Sequence, residues 1–453
     1  MTKNIKNRSV VAALPIMVCL TLPLVQVANI AYLYDLAMLF SVLRLGFPRI
    51  RDARDKQFVV SIVILLAAVA VGTVSGILRA GDLVRQSQYA IQYFAAIIFA
   101  LSLYLNILSG RVDSRTIVRL VSIAAMVLGA FAVLHYFLMT MSRPVGEALY
   151  LAYLKIAGFS DHFFTERYLR AVDLTGVVRA TGTWDVATTF GGIMSLAIAW
   201  SYLVPISPRL RLVVSVLGAI AILASNSRHA WVILFIIFVL MVPAQNRLRR
   251  LLFSIVCVIG LVVSVNVLSS QSDAGTLNLF DQMGERFSRT FEQGLADSSI
   301  QLRYVDGTLR FLTYSIRDPS VLLFGIGVGT DKALFESMGA FEYAAYTLKN
   351  DHFGFVSNGW LLIWRNWGVL GFLGLVGIFW SISRTGGAKV FPALLVAGLI
   401  VAADNYAVHV ARCFFLVLAY LAMVAGLAGL SPTSVPGYRR GIKFMNFQRI
   451  ASN

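Results

Sequence analysis

Charge is what this sequence has least of. Only 13% of its 453 residues are Asp, Glu, Lys or Arg, against 58% hydrophobic residues and a mean hydropathy of +0.76. That balance excludes a water-soluble globular protein. Cysteine is scarce as well: Cys19, Cys257 and Cys413 all fall inside apolar runs. That excludes a disulfide framework and a cysteine-based metal site. No zinc-ligand spacing, Asp-x-Asp pair or nucleotide-binding loop occurs, and no half-to-half repeat of the transporter kind is visible. The alternation that a membrane β-barrel needs is missing too, because the apolar runs are continuous and helix-length.

The sequence therefore reads as an all-α polytopic membrane protein of about 12 transmembrane helices, with one large extracytoplasmic loop containing amphipathic helices. The spans are expected near 9–26, 28–44, 57–78, 88–108, 116–139, 183–204, 211–226, 229–243, 251–268, 360–382, 390–407 and 413–430, and 211–243 reads equally as one long interrupted element. Lys3, Lys6 and Arg8 precede an apolar run as in a signal peptide, but no small-x-small cleavage site follows, so an uncleaved first helix is expected. The expected organisation is 1–139 N-terminal helices, 140–182 first outer loop, 183–268 central helices, 269–359 catalytic loop, and 360–453 C-terminal helices with a basic tail.

With twelve spans both termini share a side. That side holds 22 Lys/Arg against Asp52, Asp55 and Asp113, a net +19; the remainder has 17 basic and 19 acidic residues, a net −2. The positive-inside rule puts both termini in the cytoplasm. The overall charge of +17 thus reports orientation, and no nucleic-acid partner is implied.

Against an outer face that is nearly neutral, its arginines stand out. The loop from Leu268 to Asp351 carries seven basic residues among eleven acids. Leu302, Val305, Leu309, Leu312 and Ile316 recur at helical spacing there, and Arg303, Arg310 and Arg317, seven apart, form a stripe beside them. A stripe of this kind also suits a plain solvated face. The shorter loop 140–182 mixes arginines with aromatic residues, as an interfacial helix does, and ends in Arg179-Ala-Thr-Gly-Thr-Trp184. Arg228 and His229 form a polar knot between two apolar runs, explained equally by loop solvation or an anion site. Asp35 lies within the second span and reads as a bundle-facing carboxylate or a functional one. Gly325, Gly327 and Gly329 suggest a tight, close-packed turn. The run 353–382 exceeds one span by about ten residues, which suggests an interfacial or re-entrant start bringing His352 and Arg365 to the membrane face.

Guanidinium groups bind phosphate oxygens bidentately and stay charged. Arginines converging on a bilayer surface suit a pyrophosphate leaving group, and a histidine near an acceptor hydroxyl suits general-base work. That is the chemistry of metal-independent, cofactor-free glycosyl transfer. Residue types alone leave it one of several readings.

Four ordered motifs narrow the choice. Arg179-Ala-Thr-Gly-Thr-Trp, Ser227-Arg228, Arg303 with Arg317-Asp-Pro…Leu323-Phe-Gly-Ile-Gly-Val-Gly-Thr330, and Ser357-Asn358…Trp367-Gly-Val-Leu-Gly371 resemble segments of the O-antigen ligase/polymerase superfamily. The resemblance implies a polyprenyl-pyrophosphate-linked oligosaccharide donor, with Arg179, Arg228 and Arg303 on its pyrophosphate; Arg310, next on the stripe, is expected to join them, with Asn358, Arg365, Arg317 and Asp35 in support. It implies work at the bilayer, and leaves open whether the protein acts alone or beside a chain-length regulator and a flippase of the same pathway. The sequence departs from the family where His-Asn is usual: Ser357-Asn358 stands there, and Asn366 replaces an acid. Either His352 takes the histidine's role, which is favoured, with Arg303 as its catalytic partner, or the base is different. The expected activity is polymerisation of repeat units into exopolysaccharide or O-antigen on the periplasmic face. The alternatives are an O-antigen ligase acting on lipid A-core or protein, a 12-helix transporter or flippase, and a non-catalytic scaffold.

Overall fold

The computed structural model describes residues 3–27, 31–49, 53–80, 83–158, 178–184, 187–225, 227–241, 312, 315–316, 318–328, 358–403 and 411–430. Their secondary structure is helical apart from one two-residue hairpin. Among the described residues five helices are long and apolar enough to cross a membrane, so the chain is a membrane protein by length and composition of its helices.

In chain order, α1 (Lys3–Thr21) ends sooner than the apolar run does. Pro23 biases the residue before it away from helix, and the β-branched stretch that follows forms a hairpin of β1 (Gln26–Val27) and β2 (Ala31–Tyr32), paired Gln26↔Tyr32 and Val27↔Ala31. The helices α2 (Leu33–Leu45), α3 (Ala53–Ala80), α4 (Leu83–Leu108) and α5 (Ser114–Met141) follow. Asp113 caps α5, accepting from the Arg115 and Thr116 amides. The amphipathic α6 (Arg143–Ala157) buries Tyr150, Tyr153 and Leu154 and stops at Gly158, whose φ of 81° closes it.

Next come α7 (Ala187–Ser201), α8 (Pro208–Ala224) and α9 (Arg228–Ile236), the last continuing as a π-turn over Ile237–Met241. The described part of 211–243 thus carries a break, between Ala224 and Arg228. The short α10 (Pro319–Phe324) precedes α11 (Gly359–Gly386), a 3-10 turn (Gly387–Lys389), α12 (Phe391–Ala403) and α13 (Ala411–Gly429). The expected span 251–268 lies outside the described residues, as does most of the amphipathic stretch 299–317, where Leu312, Ser315 and Ile316 are helical.

The chain forms two compact units. One comprises residues 1–41, 112–294 and 435–453, the other 42–111 and 295–434. Each is built round a helix buried on every side: α7 in the first, α13 in the second. A helix apolar all round belongs at such a centre. In the second unit α3 crosses α11 at glycines: a Cβ on Gly374 would lie 3.0 Å from the Leu65 nitrogen, and one on Gly377 2.6 Å from Ser61 Oγ. Small residues that bring helix backbones together are how helices associate in lipid, where burying apolar side chains confers little. Large side chains instead face outward, among them Leu43, Leu78, Ile91 and Trp380.

Candidate functional site

The expected site residues fall in three groups. His352, Arg303, Arg310 and Arg317 lie outside the described residues. Arg179, Arg228 and Asp35 belong to the first unit, Asn358 and Arg365 to the second.

In the first unit the structure brings two of the four motifs together. Arg179 donates from Nε to the Ser225 carbonyl (2.9 Å), and the Ala180 amide donates to the Ala224 carbonyl (2.9 Å). The motif thereby closes the C-terminal end of α8, where backbone carbonyls need partners and a cation is favoured. Three residues on, Arg228 opens α9, and Ser227 Oγ sits 3.2 Å from His229 Nδ1. Gly191 of α7 packs against this break so closely that a Cβ would lie 2.9 Å from Ser225 Oγ.

The rest of Arg179-Ala-Thr-Gly-Thr-Trp is a buried turn, with the Trp184 amide donating to the Thr181 carbonyl. Gly182 adopts φ +58° against the Phe190 ring. The hydroxyl of Tyr150 donates to the Trp184 carbonyl (2.8 Å) and that of Tyr153 to the Thr183 carbonyl (3.0 Å). The Trp184 indole donates to the Leu20 carbonyl at the end of α1. Aromatic residues of the loop 140–182 thus act from α6 as supports for the motif. Asp35 has a local role: from the first turn of α2 it accepts from the Tyr32 amide (3.1 Å), which ties the hairpin to the helix.

In the second unit the other two motifs meet. Helix α11, capped by Asn358 through the Trp360 amide, is broken at Gly368 (φ 65°, ψ −167°). Into the break fits the glycine turn: the Ile326 amide donates to the Arg365 carbonyl (2.8 Å) and the Gly327 amide to the Asn366 carbonyl (3.0 Å). No side chain has room here. A Cβ on Gly368 would lie 2.1 Å from the Leu323 carbonyl oxygen, one on Gly325 2.4 Å from that of Asn366, and one on Gly72 of α3 2.5 Å from the same oxygen. The close-packed turn read from the glycine spacing is therefore present, and its partner is a broken helix.

Further groups that the sequence reading left aside hold this turn. Arg79, ending α3, donates from Nη1 to Asp318 Oδ2 (2.7 Å) and from Nη2 to Ser320 Oγ (2.6 Å). Ser75 Oγ donates to the Gly325 carbonyl (2.7 Å), and Gln86 Nε2 to that of Val328 (2.7 Å). The Ser320 hydroxyl, with the Arg79 guanidinium, holds the Asp318 carboxyl below the usual carboxylate range. One signal for Arg79 was available: like Arg228 it borders an apolar run, and the topology expected from the sequence puts both on the face where positive charge has no orienting role.

Below the turn Arg365 is buried, and Nε and Nη2 donate to Asn366 Oδ1 (3.2 and 3.1 Å). Tyr93, Trp367 and Phe414 pack edge to face beside it, with centroids 5.0–5.5 Å apart. Arg412, also buried, opens α13 one residue before Cys413. A buried arginine on a broken helix beside an asparagine is a place for polar chemistry inside an apolar bundle. Among the described residues no group of three His, Cys, Asp or Glu side chains is arranged to hold a metal ion.

No family model matches the chain, and no curated protein matches its sequence.

Each unit contains one pair of motifs far apart in sequence and joined through backbone. Each junction ends a helix in apolar surroundings and sets an arginine there: Arg179 at the end of α8, Arg365 at the break in α11.

Proposed function

We propose that this chain is a polytopic inner-membrane glycosyltransferase that polymerises polyprenyl-pyrophosphate-linked repeat units on the periplasmic face, without metal or cofactor. The observation that carries this reading is the pairwise contact of the four resembling motifs. Arg179-Ala-Thr-Gly-Thr-Trp closes on the break that precedes Arg228. The Gly-Ile-Gly turn closes on Arg365-Asn-Trp-Gly. In the proposed enzyme twelve spans carry both termini inside, Arg179, Arg228 and Arg303 bind the pyrophosphate, and His352 deprotonates the acceptor hydroxyl.

The test is reconstitution. Purified protein in liposomes, given only a lipid-linked repeat unit, lengthens the glycan into a ladder on a gel, and Arg228→Ala, Arg303→Ala and His352→Ala each abolish it. Full ladders from all three variants at equal protein levels refute the reading. A reaction that waits for lipid A-core identifies a ligase.

A transporter is the second reading, and the break at Gly368 favours it, because discontinuous helices are how secondary transporters build midplane sites. Lengthening with no gradient and no nucleotide excludes transport as the sole activity.

A further inference from the structure

Helix α11 is two helices in line. Its backbone leaves the helical region at Gly368, and a second helix, 369–386, starts from the break. Arg365, Asn366, Trp367 and Gly368 are all buried there, where α3, α10 and α13 pack against α11. We infer that this break binds a phosphate group, with Asn366 Nδ2 as the donor that defines the site. The inference goes beyond glycan transfer and needs only that α11 crosses a membrane.

Two independent features meet at the break. One is the N-terminal end of the second helix, which carries a partial positive charge and favours an anion. Discontinuous membrane helices present such ends to anionic groups. The other is the side chain of Asn366, which is 0% exposed. Its Oδ1 accepts from Arg365 Nε and Nη2, and its main-chain carbonyl accepts from the Gly327 amide. Its Nδ2 meets no acceptor among the described residues. A buried donor in that position is a standing cost to the fold.

The Arg365 bonds fix which end of the amide is oxygen, because a guanidinium only donates. What completes the amide must therefore bring an acceptor oxygen, which excludes a cation. Donation into Oδ1 polarises the amide and strengthens Nδ2 as a donor. The rings of Tyr93, Trp367 and Phe414 beside the break keep the local dielectric low. An anionic oxygen gains most from both.

Depth points to a phosphate carried at the bilayer surface. Asn366 precedes Arg384, in the last turn of α11, by 18 residues, about 27 Å of helix. That is close to the roughly 30 Å of hydrocarbon in a bilayer. With Arg384 at one surface, Asn366 stands at the level of the headgroups on the other. A lipid phosphate and free phosphate share this chemistry, and the test separates them.

Thermal unfolding of the full chain in detergent, titrated with dioleoylphosphatidate, inorganic phosphate or dioleoylglycerol, tests it. Phosphatidate raises the midpoint of wild type and dioleoylglycerol does not. Inorganic phosphate without effect at the same concentration makes a lipid the source; an equal rise makes it a free anion, and both support the site. Asn366→Asp keeps an acceptor for Arg365 and turns the donor into a repelling oxygen. It folds with an unchanged or higher midpoint, and its phosphatidate affinity falls about tenfold or more, the loss of one hydrogen bond to a charged group. A control pair, Arg384→Gln/Lys389→Gln, removes charge at the far end of α11 and leaves affinity unchanged. Hydrogen exchange of wild type needs no variant: phosphatidate slows the amides of 368–371. No response of wild type to either phosphate, equal affinity in Asn366→Asp, an equal loss in the control pair, or no added protection at 368–371 overturns the inference.

Discussion

Replacing Gly368 with alanine tests the lock between the glycine turn and α11 most directly. Gly368 has φ 65° and ψ −167°, and Gly387 at the end of the same helix has φ 57° and ψ −149°. Both lie near a backbone region reserved for glycine, where another residue costs on the order of 1–3 kcal/mol. They differ in surroundings. A Cβ at Gly387 meets nothing within 4 Å, whereas one at Gly368 would lie 2.1 Å from the Leu323 carbonyl oxygen. That contact is impossible, so the turn must withdraw and give up the Ile326 and Gly327 amide bonds to the Arg365 and Asn366 carbonyls. At about 1 kcal/mol each, these add roughly 2 kcal/mol. Gly387→Ala should therefore destabilise by about 1–3 kcal/mol and Gly368→Ala by about 3–5 kcal/mol. Unfolding by SDS titration in mixed micelles measures both, and hydrogen exchange at the Ile326 and Gly327 amides reports the lock itself. Equal destabilisation by the two variants, with those amides still protected in Gly368→Ala, would refute the reasoning.

Two further outcomes are expected. Asp318 is held below the usual carboxylate range by Ser320 and Arg79, so its contribution to stability is present above about pH 4, the unfolded value. It is lost as pH falls through the lower folded value. The stability curves of wild type and Asp318→Asn should thus run apart at neutral pH and converge in acid; a gap that widens in acid contradicts the assignment. Tyr150→Phe removes the hydroxyl on the Trp184 carbonyl and should destabilise the first unit by about 1 kcal/mol. No measurable loss in SDS titration would show that α6 does not brace the turn.

The long apolar helices were legible because transfer into lipid is a local sum over one segment: α3, α4, α5, α11 and α13 appear where continuous apolar runs require them. The hairpin at Gln26–Tyr32 was not, since the apolar sum carries across Pro23 without registering the break in helix. Within the candidate site, Arg179 and Arg228 were recognisable as motif residues and as charges with no orienting role expected of them. Their joint position at the end of α8 depends on backbone carbonyls that carry no sequence signature. Gly368 shows the limit most plainly. A glycine in an apolar run signals packing or a bend equally well, and only the Leu323 carbonyl against it decides which. Arg303 and His352, which the resemblance weights most, lie outside the described residues.

Ser75 and Gly325 are hydrogen-bonded across 250 residues of chain, and the first unit's central helices are encoded between them. The second unit is therefore split in time during synthesis. At about 5–20 residues per second, α3 and α4 await the turn and α11 for roughly 10–50 s. Through that interval the faces around Gly72, Gly76 and Gln86 have nothing of their own chain to close on. A protein of this plan places its heaviest demand on the insertion machinery in the middle of translation, and a pause or truncation before Gly325 leaves half a bundle in the bilayer.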